Sequence, residues 1–294
     1  MLFSQEICDN GIDDDADGLI DLNDTTDCHC SEQAGLTIIP SLIPNPSFEA
    51  HSCCPTTYGV GQTNDGLGCA DDWDQIGGAT SDYFHTCGWN GATNSLPFPH
   101  GEAAGGFFSF DGWSEYLGGY FVSPLQKDTL YQMNFFLSFD NMTSSVESCG
   151  SATAVSPPID FTLYGTPDSS SIPFSGYACP IGQGNWIELG HVTIDPMTIF
   201  HSWEKLSISF TNDTNIIAFA LGAPCDLPSS GYSGYTSSCA PYFLIDSLIL
   251  NDARYFNTHL TVDSTGSFDT YLTLNAYSDT IGTFQWYFQG KLIL

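Results

Sequence analysis

The sequence predicts an all-β fold: a jelly-roll β-sandwich, preceded by a small acidic segment stapled by disulfides and calcium. Three observations predict it. Apolar residues recur with a period of two in several separate runs, clusters of Gly, Pro, Ser and Asn divide those runs, and no segment sustains helical spacing over three turns.

The clearest run is LYQMNFFLSF. Tyr131, Met133, Phe135, Leu137 and Phe139 point one way while Gln132, Asn134 and Ser138 point the other, the pattern of a half-buried strand. Similar runs occur at GGFFSF, EYLGGYFV, PIDFTLY, WIELGHVTI, EKLSISF, NIIAFALG and YFLIDSLIL, with Leu206, Ile208 and Phe210 facing inward. About eight to ten antiparallel strands in two packed sheets account for them. Two long cysteine-bearing stretches, HSCCPTTYGVGQTNDGLGCADDWDQIGG and APCDLPSSGYSGYTSSCAP, are too long for plain connections, so they are expected to be functional or pinned by sulfur.

Composition narrows the function classes. The chain has 294 residues, 34 acidic against 4 basic side chains and a formal charge of −30. Charge this one-sided suggests disorder, yet 42% hydrophobic residues suffice for a packed core. The repulsion must then be offset by salt or bound cations. Nucleic acid and anionic membrane surfaces are excluded as partners, since both need lysine and arginine. No apolar run approaches the roughly 20 residues of a membrane span. Eleven cysteines (Cys8, Cys28, Cys30, Cys53, Cys54, Cys69, Cys87, Cys149, Cys179, Cys225 and Cys239) include no C-x-x-C pair and read as a disulfide framework of a secreted protein. Cys8 is expected to bond Cys28 or Cys30, and Cys53 and Cys54 to anchor loops near Cys69 and Cys87. The odd count leaves one thiol free or paired outside the chain. Asn23, Asn141 and Asn212 open N-x-[ST] sequons.

Three zones follow: residues 1–30, 31–258 and 259–294. The first places eight aspartates between Cys8 and Cys28 with no basic residue among them. Asp13, Asp15, Asp17 and Gly18 spell D-x-D-x-D-G, with Leu19 at a backbone-carbonyl position and Asp24 at the twelfth. A hard cation such as Ca²⁺ takes six to eight oxygens, and alternate carboxylates around a glycine turn supply them. Asp9, Asp21 and Asp27 are alternative ligands. In the last zone Leu272, Leu274 and Ala276 alternate, then Phe284, Trp286 and Phe288. This resembles the opening strands of an immunoglobulin-like domain, so a partial domain is expected there, cut short or completed by a strand from a partner.

EICDNGIDDDADGLID, then LIPNPSFE, SDYFHTC and YFLIDSLIL, together resemble the large surface proteins that gliding bacteria export by the type IX secretion system. NPSFE and LIDSLIL resemble the jelly roll of carbohydrate-binding modules. The chain departs from the first pattern at Leu22, where such acidic repeats often carry a further cysteine, and by lacking the C-terminal sorting domain. The likeness implies a cell-surface location, gliding-associated export, and a structural metal held by Glu49 after the first strand and Asp246 in the last.

Flat rings stack on the apolar faces of sugars, and carboxylates and amides nearby complete the hydrogen bonding. Aromatic residues are plentiful: Trp73, Tyr83, Trp89, Trp113, Tyr116, Trp186, Trp203, Tyr232 and Tyr235. Trp186 and Trp203 sit in strand-like runs and are assigned to packing. Trp73, Tyr83, Trp89 and Tyr235 are the candidate ligand-stacking rings, amid Asp71, Asp72, Asp74 and Asn90. No G-x-S-x-G, H-E-x-x-H or phosphate loop is present, and His85 and His100 lack ligand spacing. The expected function is a calcium-stabilised adhesion module that binds a glycan or cell-surface polymer. The alternatives are a self-associating subunit of an extracellular fibre and a polysaccharide-active enzyme.

Overall fold

The computed structural model describes residues 40–59, 65–89, 95–110, 113–143, 145–146, 149, 157–177, 179–227 and 240–256. Beyond these it describes the backbone of four strands, at 258–263, 273–278, 287–288 and 291–292. The chain divides into two compact units, Ile39–Asn257 and a second made of Met1–Ile38 with Thr258–Leu294.

In the larger unit, eleven strands are described: β1 (Asp74–Gln75), β2 (Asp82–His85), β3 (Ala103–Phe110), β4 (Trp113–Ser114), β5 (Tyr116–Leu125), β6 (Leu130–Met142), β7 (Ile159–Thr166), β8 (Ile187–Ile194), β9 (Glu204–Thr211), β10 (Ile216–Gly222) and β11 (Ala240–Asp252). They form two antiparallel sheets, ordered β1-β5-β10-β7-β8 and β2-β3-β11-β6-β9, with β4 paired to β3. All eight runs read from the sequence are strands. The three additional strands, β1, β2 and β4, have two to four residues, too short for alternation to register.

The core lies between the sheets. Met133, Phe135, Leu137 and Phe139 of β6 are fully buried, and Phe135 and Phe107 meet Phe161 of the opposite sheet at ring distances of 5.0 and 6.0 Å. Each such phenylalanine contributes about 1.5–3 kcal/mol through burial. Ile208 and Phe210 are buried with them and Leu206 packs alongside.

The outer faces carry apolar clusters of their own. Phe84, Phe108, Met142, Tyr242 and Leu244 are buried outside the six-stranded sheet. Ile76, Tyr116, Tyr164, Phe174 and Trp186 are buried outside the five-stranded one. Strands such as β3, seven of whose eight residues are buried, are therefore covered on both sides, and their alternation is lost. Gly106 marks how closely the outer layer approaches: a Cβ there would collide with Phe84 and with the Tyr242 ring and hydroxyl.

Long loops supply these covers, and sulfur pins them. Cys53–Cys69, Cys54–Cys87 and Cys179–Cys225 join Cα atoms 4.9, 5.7 and 5.0 Å apart. The first two are the anchorage expected from the sequence. Cys149 is also disulfide-bonded; Cys8, Cys28, Cys30 and Cys239 lie outside the described residues.

Both ends of the sandwich unit meet at β11. Leu42 N donates to Leu250 O (2.7 Å), Leu248 N to Pro46 O (2.8 Å) and Asn251 Nδ2 to Pro40 O (2.7 Å). β11 breaks register between Asp246 and Ile249, with Ser247 at φ 57°. Two of the sequons fall inside the fold: Asn141 is 0% and Asn212 3% exposed, so neither side chain is open to glycosylation once folded. Asn23 lies outside the described residues.

The second unit is described by two antiparallel strand pairs, Thr258–Asp263 with Thr273–Ser278 and Tyr287–Phe288 with Lys291–Leu292.

Candidate functional site

Outside the five-stranded sheet, the segment from Asp168 to Trp186 folds into a built structure. Phe174 sits edge-on to Tyr116 (5.7 Å) and Trp186 (6.0 Å), its amide donates to Ile76 O (2.9 Å), and the Trp186 indole donates to Ser171 O (3.0 Å). The Cys179–Cys225 bond ties the segment to the end of β10. Gly176, at φ +82°, turns the chain in a conformation that favours glycine and accepts the Gly78 amide at 2.9 Å.

That turn delivers Tyr177. Its ring lies on Trp113 with centroids 4.3 Å apart and planes 14° apart, and its carbonyl accepts the Ser114 amide at 3.2 Å. Trp113 is parallel to Phe110 (7°) and its indole donates to Glu115 Oε1 (3.0 Å). Tyr177 is nonetheless 50% exposed. A ring held flat by one face and by its backbone, with the rest in water, is pre-organised to receive a second flat apolar surface.

The same segment lines a cleft of about 500 Å³ with Asp168, Ser170, Phe174, Ser175, Gln183 and Gly184. Donation from the Ser170 side chain and amide, together with Asn185, holds the Asp168 carboxyl below the usual range, so it is ionised at neutral pH. Gln183 accepts from Ser175 and donates to Cys179 O. The cleft offers hydroxyls, an amide and one carboxylate; no lysine or arginine lines it.

The rings selected from the sequence fare differently. Trp73 is a core residue, 2% exposed, stacked on Phe48 at 4.2 Å with its indole donating to Asn45 O (2.9 Å). Tyr83 is 0% exposed and donates to Phe48 O (3.0 Å). Neither can stack on a ligand. Trp73, just after Cys69, packs into the main core cluster, and Tyr83 lies in the fully buried strand β2. Trp89 is half-buried on Phe84 at 4.8 Å, with Tyr58 beside it. Tyr235 lies outside the described residues. Tyr177 was missed, although S-G-Y-A-C has the loop composition used to choose the others. Trp113 was counted among the aromatics but not selected.

Asp13, Asp15, Asp17, Leu19, Asp21 and Asp24 lie outside the described residues. Glu49 and Asp246 do come together. Glu49 Oε1 accepts the amides of Glu102 and Ala103 (both 2.9 Å); Asp246 accepts those of His100 (2.8 Å) and Ser247 (2.5 Å). The His100–Ala103 turn joins them, and at Gly101 (φ +68°) a Cβ would collide with the Glu49 carboxyl. Burial, with Glu49 adding to it, raises Asp246 to about 7 against the opposing effect of its two amide donors. Hard oxygen donors and a buried acid that an anionic neighbour makes costlier to ionise fit a hard cation.

A different trio, His51, His85 and Cys87, brings ligand atoms within 4.8 Å of one another. Its chemistry is poor for a metal: the Cys87 sulfur is in a disulfide and His85 Nδ1 accepts the Cys87 amide at 2.9 Å.

No family model and no curated protein matches the chain. Among solved structures it is similar to the CBM22-2 xylan-binding domain of Paenibacillus barcinonensis Xyn10C, with 12% identity over 62% of this chain and 92% of that one and a TM-score of 0.36. It is similar also to the K2 cleaved adhesin domain of Lys-gingipain (11%, 70% and 96%, 0.37) and to TmCBM61 in complex with β-1,4-galactotriose (10%, 72% and 99%, 0.34). At such low identity and superposition, ligand chemistry has to be read from this chain's own side chains.

Proposed function

We propose that this chain is an extracellular glycan-binding module whose ligand stacks on Tyr177 and hydrogen-bonds along the Asp168–Gln183 cleft. The observation that carries this reading is the half-exposed Tyr177 ring fixed on Trp113 by a disulfide-pinned loop. Simple packing would have favoured burial of both faces, at a gain of about 1.5–3 kcal/mol for a large side chain. With no basic residue lining the cleft, an uncharged sugar fits better than a uronate or sulfate. Three disulfides among the described residues support folding in an oxidising compartment, and a cell-surface, adhesive role with type IX export accords with the acidic N-terminal repeat.

Calcium belongs to the same reading. Glu49 and Asp246 would clamp the first segment to the last strand, and Asp13, Asp15, Asp17 and Asp24 would hold a further ion. A polysaccharide hydrolase would need two accessible carboxylates. The acid pair this fold couples, Asp82 and Glu115, is 2% and 3% exposed. The test is a glycan array with wild type and Tyr177→Ala. Saturable binding to a neutral polysaccharide, lost in the variant, supports the module; blank arrays with concentration-dependent oligomers support a fibre subunit.

A further inference from the structure

Beneath the Tyr177 platform lies a group that glycan binding alone does not require. Strands β2, β3 and β11 run side by side, with Asp82 opposite Gly106 and Tyr242 opposite Phe108. Tyr242, 0% exposed, donates its hydroxyl to Asp82 Oδ2 (2.8 Å), and Gly59 N donates to Asp82 Oδ1 (2.7 Å). Glu115 takes Phe108 N on Oε2 (2.8 Å) and the Trp113 indole on Oε1 (3.0 Å). All four carboxyl oxygens therefore face N–H or O–H donors. No basic side chain is among the groups that influence either acid. Two buried like charges without a cation are costly, so the pair retains a proton where ordinary carboxyls have lost theirs.

We propose that Asp82, Glu115 and Tyr242 form a proton-responsive support for the Trp113–Tyr177 platform, in one arrangement while the acid pair holds a proton and in another once the second charge appears, when the indole donates to a charged Glu115 and the two acids repel. That the platform is a ligand site rests on the preceding proposal; the coupling of Trp113 to the acid pair does not. Glu115 is a positioning residue here, since it acts through the indole it holds. Burial pushes Asp82 up to about 6, and burial followed by the Asp82 charge pushes Glu115 well above the carboxylate range. Burial also raises the Tyr242 phenol, keeping it a donor. On the remaining sides β3 presents Gly106 and Phe108, which do not titrate. The loop before Gly59 brings Tyr58, the covering loop brings Tyr177, and β6 brings Asp140, which accepts His201 Nε2 at 2.8 Å.

The test follows the Trp113 indole N–H by heteronuclear NMR from pH 4.5 to 8.5 in the full chain at fixed calcium and salt, the resonance being assigned with Trp113→Phe. It should titrate with a midpoint near 6 or higher. Asp82→Asn should lower the midpoint of what remains by about one pH unit or more, because the like charge beside Glu115 is gone. Glu115→Gln should abolish most of the change, and if that variant fails to fold, the wild-type and Asp82→Asn titrations decide. A flat indole signal, a midpoint near 4, or a midpoint unmoved in Asp82→Asn would overturn the proposal. No sugar is used, so a blank glycan array leaves this result unaffected.

Discussion

Tyr177 and Asp82 show two opposite uses of a side chain. The first is kept half in water on a rigid support, so its removal should cost ligand and spare the fold. Tyr177→Ala is expected to weaken glycan binding at least tenfold, about 1.4 kcal/mol, while moving the melting temperature by no more than a few degrees. Affinity electrophoresis and a thermal melt check both. Asp82 is buried, and its folded value of about 6 lies above its ordinary 3.8. A carboxyl raised in this way binds its proton more tightly folded than unfolded. Its stabilisation is therefore complete below pH 3.8, declines as pH rises, and is gone above about 6. The shift corresponds to about 3 kcal/mol. Wild type should lose roughly that much more stability than Asp82→Asn between pH 4 and 7 in urea titrations; parallel profiles would contradict the assignment.

At the scale of elements, β6, β8 and β9 were legible because one face of each meets the core and alternation survives, whereas β3, β7 and β10 are buried on both faces and were legible as apolar runs between turn residues. β6 is the clearest, with Met133, Phe135, Leu137 and Phe139 inward and Gln132 and Asn134 half-exposed outward. β2 was not legible because both its faces are covered and all four of its residues are buried. The platform was hidden for a related reason: Trp113 and Tyr177 are 64 residues apart in sequence, and the Gly176 turn, the Cys179–Cys225 bond and the Ser114–Tyr177 backbone hydrogen bond hold the rings together. Trp73 and Tyr83 went the other way: Trp73 follows a cysteine-rich loop that reads as surface yet packs in the core, and Tyr83 belongs to β2. The loop disulfides should therefore matter more to function than their position in irregular structure suggests. Replacing Cys179 and Cys225 by serine should cost about 2–4 kcal/mol and lower glycan affinity. The Cys54/Cys87 double replacement should cost stability in the same range with affinity retained in the fraction still folded. Denaturant midpoints and binding isotherms separate the two.

For the whole molecule, charge repulsion adds to chain entropy in opposing folding. A formal −30 on 294 residues opposes compaction, and the four basic side chains cannot offset it. Arg254 is engaged with Asp252, and Lys127 lies 3.8 Å from Asp128 at the surface, where an ion pair contributes about 0–1 kcal/mol. Salt or bound cations would have to supply the rest, and on the proposed reading a cation would sit at the Glu49–Asp246 corner, which joins the first and last segments of the sandwich. Chelation should lower the melting temperature, and Asp246→Asn should reduce that sensitivity while calcium-independent packing persists. Equal melts with and without chelator would remove calcium from the description. The oxidising compartment and the sandwich were legible from cysteine count and strand period. The proposed ligand surface was not, because it depends on which loop aromatics the disulfides leave exposed.

The most direct measurement is equilibrium binding of immobilised neutral polysaccharides to wild type and Tyr177→Ala under identical calcium and pH. Saturable binding by wild type that is lost in the variant, with superimposable thermal melts, is the expected result. Wild type and variant binding equally well would show that the Tyr177 platform is not the ligand site.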